Sequence, residues 1–303
     1  MAPPRKITLS DGKAEVDILP QQGAAVGRYL FLAGEHPHPI FAPTSFGHGA
    51  QAFDVGSILL VPWSNRIGGG GFHYEGRFVP LDPNLDGEPF PIHGNAFQCA
   101  WEIISQAAIS VALQLESDGP GEFRYRSQVS YALSDGCLSI SLAVTNHATR
   151  PLPFGLGFHP WLPRTPDTVL QFHAEDVWLE DDRHLPVGRR PLADQPEWNF
   201  SRLRPLSAGW INNAFGGWDG SAELYWPERR LSVGIEASEE LSVCMLYSPG
   251  EAASFLCFEP VSHAVDAHNL PAEDNLLRRL VPGATMRASC RFAPRQIRDG
   301  DLQ

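Results

Sequence analysis

The chain has 303 residues, 43% of them hydrophobic and 19% charged, and a formal net charge of −12 from 23 basic and 35 acidic side chains. That apolar share suffices for a full core and excludes a disordered polymer. The acidic balance, with no long Lys/Arg run, argues against nucleic acid and anionic membrane surfaces as partners. A neutral small molecule fits it.

The N-terminal stretch MAPPRKITLSDGKAEVDILP lacks the apolar core of a secretory signal. No run reaches the ~18 apolar residues of a membrane helix. A cytoplasmic protein is expected. The five cysteines (Cys99, Cys137, Cys244, Cys257, Cys290) form no C-x-x-C motif. They read as reduced thiols, mostly buried.

In chain order, the first unusual segment is LLVPWSNRIGGGGFHYEGRFVPL at 59–81. An apolar strand runs into Asn65 and Arg66, then four glycines. Arg66 is either a donor held on a rigid element or half of a structural ion pair. The glycines do not make a phosphate loop, which needs G-x-x-x-x-G-K-[ST] leading into a helix; a flexible hairpin is expected. His93 follows in PIHGNAFQCAWEI at 91–103, ahead of an apolar strand. It is either a satisfied structural histidine or a site residue.

Period-2 alternation then predicts half-buried strands. Val111, Leu113 and Leu115 share one face; so do Phe123, Tyr125, Ser127, Val129, Tyr131 and Leu133; so do Leu138, Ile140, Leu142 and Val144. Turn signals lie between them at 118–121 and 134–136. In PFGLGFHPWLP at 153–163, His159 sits in an apolar run bracketed by prolines. Burial there favours a neutral imidazole, and a nearby carboxylate opposes that shift. The blander reading is a core histidine bonded to a carbonyl. A short helical turn is expected within 195–208. Leu231, Val233 and Ile235 mark another strand.

Glu259 ends the apolar run Phe255–Phe258 and precedes Pro260. Glutamate is rarely buried without a partner, so it is either paired structurally or poised for proton transfer. His263, Asp266 and His268 follow, but H-x-x-D-x-H is not a zinc spacing, and no metal is expected. A short helix is predicted from Asp274 to Leu280, stopped by Pro282. Neither G-x-S-x-G nor H-E-x-x-H occurs. The whole chain, 1–303, reads as one all-β unit, a large antiparallel β-sandwich.

Taken in order, N-R-I at Asn65–Ile67, H-G at His93–Gly94, G-x-H-P-W at Gly157–Trp161, E-P at Glu259–Pro260 and D-A-H-N at Asp266–Asn269 resemble the aldose 1-epimerase (galactose mutarotase-like) family. NNAFGGWDG at 212–220 and EPVSH at 259–263 look closest to an uncharacterised bacterial branch of it. The resemblance implies a very large antiparallel β-sandwich that interconverts the α and β anomers of a free aldose, with no cofactor or metal. It implies His159 as general acid, Glu259 as general base, and Asn65, Arg66 and His93 at the sugar. The partner implied is a monosaccharide; the expected state is monomer or homodimer. One position departs from the family pattern: Asn212 stands where an Asp usually binds sugar hydroxyls, with Asp219 a candidate substitute. Trp161, and less so Trp63 and Trp218, can offer an aromatic face to a pyranose. The competing readings are a non-catalytic carbohydrate-binding or sensor protein on the same fold, and a glycoside hydrolase. The hydrolase would need a second carboxylate facing Glu259.

Overall fold

A computed structural model describes residues 6–34, 36–41 and 53–297. Its best-marked strands are those with the clearest alternation. Tyr125–Ser134 alternates buried and exposed residues throughout. Ser110–Ser117 and Cys137–Asn146 flank it as antiparallel partners. These three lie in a nine-stranded sheet ordered Arg204–Pro205, Val169–Phe172, Ser221–Trp226, Leu231–Ala237, Thr285–Gln296, Cys137–Asn146, Tyr125–Ser134, Ser110–Ser117 and Glu102–Gln106. One face of this sheet meets the core and the other meets water, which is why the sequence alternates.

The second sheet has eleven strands. Its order is Ile7–Ser10, Ala14–Leu19, Ala25–Phe31, Ser57–Leu60, Gly157–Pro163, Phe255–Val261, Val243–Ser248, Ile211–Gly216, Asp176–Glu180 and Pro186–Pro191, with His38–Phe41 also paired to the third. Its two central strands, Gly157–Pro163 and Phe255–Val261, are buried at every residue. Phe158, Leu162, Leu256 and Phe258 pack into the main core, which also takes Leu113, Val129 and Ile140 from the other sheet. Trp161, Cys257, Val261, Met245 and Ala214 face the other way and form a second, smaller cluster. The pairing of the described strands is antiparallel throughout, and the two sheets pack as an all-β sandwich.

Helix is scarce. The short helix predicted at Asp274–Leu280 instead spans Ala272–Asn275. Leu276 ends it in the left-handed conformation (φ 57°), and Arg278–Leu280 is a strand. The turn expected within 195–208 is a 3₁₀ turn at Pro196–Trp198. The glycines at 68–71 feed a hairpin, Gly71–Tyr74 with Arg77–Pro80, whose turn falls at Glu75–Gly76. Gly71 is required there, since a Cβ would lie 2.1 Å from the Val79 carbonyl oxygen. Among the described residues, no helix is long and apolar enough to cross a membrane.

Candidate active site

The central strands of the eleven-stranded sheet set side chains out in two rungs. Glu259 pairs in register with Met245, and Met245 with Ala214. On the next rung Trp161 pairs with Cys257, Cys257 with Tyr247, and Tyr247 with Asn212. Residues two apart on a strand share a face, so both rungs point to the same side. Pro160 and Pro260 each lack an N–H. The pairing of their strands skips from Gly157↔Val261 to Trp161↔Cys257. His159 and Glu259 face one another inside that gap, with His159 Nε2 3.3 Å from Glu259 Oε1.

Both groups are almost out of water, His159 at 8% and Glu259 at 3% exposure. Burial pushes the Glu259 carboxyl up to about 8, with Arg66 pulling weakly the other way. Burial takes the His159 imidazole down to about 3. Each shift favours the uncharged form, so the touching pair holds one proton at neutral pH. Glu259 Oε2 and His159 Nδ1 are buried without a hydrogen-bond partner. Unsatisfied buried polar atoms are costly, ~1–3 kcal/mol each, and mark a place suited to a polar ligand. Trp161 stacks on the His159 ring at 4.1 Å between centroids.

Asn65 and His93 lock together. Both adopt left-handed backbone, φ 58° and 60°. The Asn65 N–H donates to His93 Nδ1 at 3.0 Å, and the His93 N–H donates to the Asn65 carbonyl at 3.0 Å. An accepting Nδ1 puts the ring proton on Nε2. Burial, then the neighbouring His159, then Arg66 hold His93 well below the ordinary histidine range. It is therefore a neutral donor, with its ring centroid 5.2 Å from that of His159. Arg66 forms the ion pair that one sequence reading expected, and it does so at the cleft. It lines the cleft, and its Nε and Nη2 donate to the two Glu88 oxygens at 3.0 and 2.7 Å.

Asn212 lines the same cleft. Its amide donates to Glu180 Oε2 at 2.6 Å. Glu180 Oε1 accepts Trp210 Nε1–H at 3.1 Å, and Oε2 lies 3.0 Å from His184 Nδ1. A carboxylate thus stands directly behind the position where the family pattern has Asp. Asp219, the expected substitute, is elsewhere: it is exposed and caps its own turn through Ser221 N–H and Oγ. Trp63 and Trp218 are core residues.

The cleft encloses about 280 Å³. That lies near the small end of ligand sites. Sequence reasoning missed Phe53, Glu88, Glu180, His184, Trp210 and Tyr247. The strand alternation that places Tyr247 two residues from Met245 was the one available signal. A larger groove, of about 530 Å³, crosses the nine-stranded sheet over Ser130, Ser141 and Ala143. No acid–base pair converges there. His263 accepts Ser64 N–H at 3.0 Å and donates to the Ala264 carbonyl at 2.8 Å, while Asp266 accepts from Gly68 and Asn269. These residues brace loops. The donor atoms of His159, Cys257 and Glu259 lie within 4.8 Å of one another.

The protein is an all-β double sheet with a small cleft that presents a buried imidazole–carboxyl pair, a size and polarity that suit a small polar ligand. The profile of the family described as aldose 1-epimerase matches residues 5–293. The uncharacterised protein YphB of Escherichia coli K12 is 31% identical over 91% of this chain and 94% of its own. The uncharacterised YihR of the same organism is 29% identical over 70% of this chain and 71% of its own. An Escherichia coli K12 crystal structure whose name proposes an aldose 1-epimerase superposes with a TM-score of 0.87 at 29% identity, covering 97% and 99% of the two chains. The chain belongs to the aldose 1-epimerase family.

Proposed function

We propose that the protein is an aldose 1-epimerase that interconverts the α and β anomers of a free aldose by ring opening and closure. The observation that carries this is the buried contact between His159 Nε2 and Glu259 Oε1. Opening a cyclic hemiacetal removes a proton from the C1 hydroxyl and delivers one to the ring oxygen. Both oxygens are bonded to one carbon, so the acid and base that serve them belong a few ångström apart. A pair holding one proton supplies the balance. With the proton on His159, the imidazolium protonates the ring oxygen while Glu259 carboxylate takes the hydroxyl proton. The open-chain aldehyde then faces neutral His159 and protonated Glu259. Rotation about C1–C2 followed by the reverse transfers closes the other anomer. Each transfer group supplies ~10²–10⁴-fold.

His93, a neutral Nε2–H donor, and Arg66 suit the hydroxyls and the negative charge that develops on a sugar oxygen. Asn212 offers its carbonyl oxygen as an acceptor once its amide is tied to Glu180. Trp161 keeps His159 in place and presents an apolar face. The test is polarimetry on fresh α-D-glucose and α-D-galactose. Wild type should speed the drift to equilibrium, and Glu259→Gln and His159→Ala should each lose at least ~10²-fold with their fold intact by circular dichroism. Sugar binding without any acceleration would assign the cleft to recognition alone, and full activity in Glu259→Gln would sink the mechanism.

A further inference from the structure

We propose that the cleft continues past the first sugar ring into a second subsite, an aromatic shelf of Trp210 and His184 held by Glu180, which takes a second neutral sugar ring joined to the far end of the reducing aldose. The proposal rests on the reading of His159 and Glu259 as the reducing-end site and names the substrate class that site receives.

The sheet supplies the ruler. Adjacent strands lie ~4.7–4.9 Å apart. From the Glu259 strand, Tyr247 is one strand away, Asn212 two and Glu180 three. The Asn212 column is thus ~9.5 Å and the Glu180 column ~14 Å from the acid–base pair. A single pyranose with C1 at that pair ends near Asn212. The shelf stands beyond it.

The shelf is built. The Trp210 and His184 rings stack with centroids 5.5 Å apart at 26°, and Tyr247 meets the indole edge-on at 5.1 Å. Glu180 fixes the indole through Nε1–H and the imidazole through Nδ1. His184 sits in left-handed backbone (φ 62°) in a turn whose N–H groups at Arg183 and Leu185 donate to Asp181 Oδ1. Yet Trp210 remains 49% exposed, whereas Trp161 and Trp178 on the same sheet are at 6% and 8%. A pinned but open indole beside a polar cleft matches the apolar face of a pyranose, and Glu180 adds a hydroxyl acceptor. The charge there is negative, and Arg66 is already bound by Glu88, so a neutral ring fits and an anionic substituent does not.

The test compares freshly dissolved lactose, maltose and cellobiose with galactose and glucose on the full chain, by polarimetry and by calorimetric binding. Wild type should accelerate at least one disaccharide. Trp210→Ala should lower kcat/KM for that disaccharide on the order of tenfold more than for its reducing-end monosaccharide, mainly through KM, and Trp210→Phe should recover part of the loss. Equal losses on both, or disaccharides neither accelerated nor bound while monosaccharides are, would overturn the second subsite and leave the epimerase reading standing. If no sugar is accelerated, that reading falls and binding decides the subsite. A disaccharide that binds more tightly than its monosaccharide, and loses the advantage in Trp210→Ala, supports it; equal binding overturns it.

Discussion

Glu259 and His159 are held toward their neutral forms because the fold removes both from water. That arrangement has a thermodynamic signature. Glu259 titrates at about 8 in the folded chain against 4.5 free. Between those values the folded state binds more protons than the unfolded one, so stability falls as pH rises through the window. A glutamine has no such penalty. Glu259→Gln should therefore raise the melting temperature, by more at pH 8 than at pH 5; a gap that shrinks toward pH 8 would contradict the burial argument. Asn212 makes a second case. An aspartate there would set a second carboxylate against Glu180, now 2.6 Å from the amide, and like charges that close oppose ionisation. Asn212→Asp should weaken sugar binding despite restoring the family's usual residue, and adding Glu180→Gln should recover it. Titration calorimetry on the single and double variants measures that coupling. His159, Glu259, Arg66 and His93 were legible as polar breaks in apolar runs. Glu180 was not, because it becomes a partner of Asn212 only through the pairing of strands far apart in sequence. Asp219 misled because proximity in sequence to Asn212 placed it in a turn at the strand's other end.

Sequence alternation finds strands only where the two faces of a sheet meet different surroundings. It located Ser110–Ser117, Tyr125–Ser134, Cys137–Asn146 and Leu231–Ala237, all in the nine-stranded sheet. The site lies on the other sheet. There Gly157–Pro163 and Phe255–Val261 are covered on both faces, so no period-2 signal survives and motifs had to stand in for pattern. The elements that carry Asn65 and His93 depend on backbone shape. Gly94, at φ 64°, has no room for a side chain: a Cβ would lie 2.0 Å from the Val61 carbonyl oxygen. Gly94→Ala should cost more than ~1–3 kcal/mol and loosen the His93 turn. Gly87→Ala, also at positive φ (80°) but with nothing within 4 Å, should cost only ~1 kcal/mol. Thermal unfolding of the two variants separates crowding from backbone strain; equal losses would contradict the crowding argument.

Across the molecule, acidic residues outnumber basic ones by 35 to 23, and the cleft follows the same balance. Glu180 stands behind its wall, the guanidinium of Arg66 that lines it is bound bidentately by Glu88, and the buried Glu259–His159 pair adds no positive charge. A phosphorylated sugar would bring its charge toward Glu180 without an unengaged arginine, among the described residues that line the cleft, to meet it. Glucose 6-phosphate should bind at least ~10-fold more weakly than glucose, a difference of ~1.4 kcal/mol. Competition in the polarimetric assay measures this, and equal inhibition by the two would refute it.

The contact between His159 and Glu259 also shapes how the proposed catalyst would run from one turnover to the next. A proton handed across the sugar can travel back across the contact without visiting bulk solvent. Ring opening carries the proton from His159 to Glu259 and ring closure carries it back, so a full turnover leaves the pair as it began, and in the empty cleft a single hop between touching atoms exchanges its two tautomers. Such a closed proton loop is indifferent to buffer and to which anomer arrives first. That suits a reaction whose substrate and product are each other's mirror at one carbon and whose direction is set by supply alone.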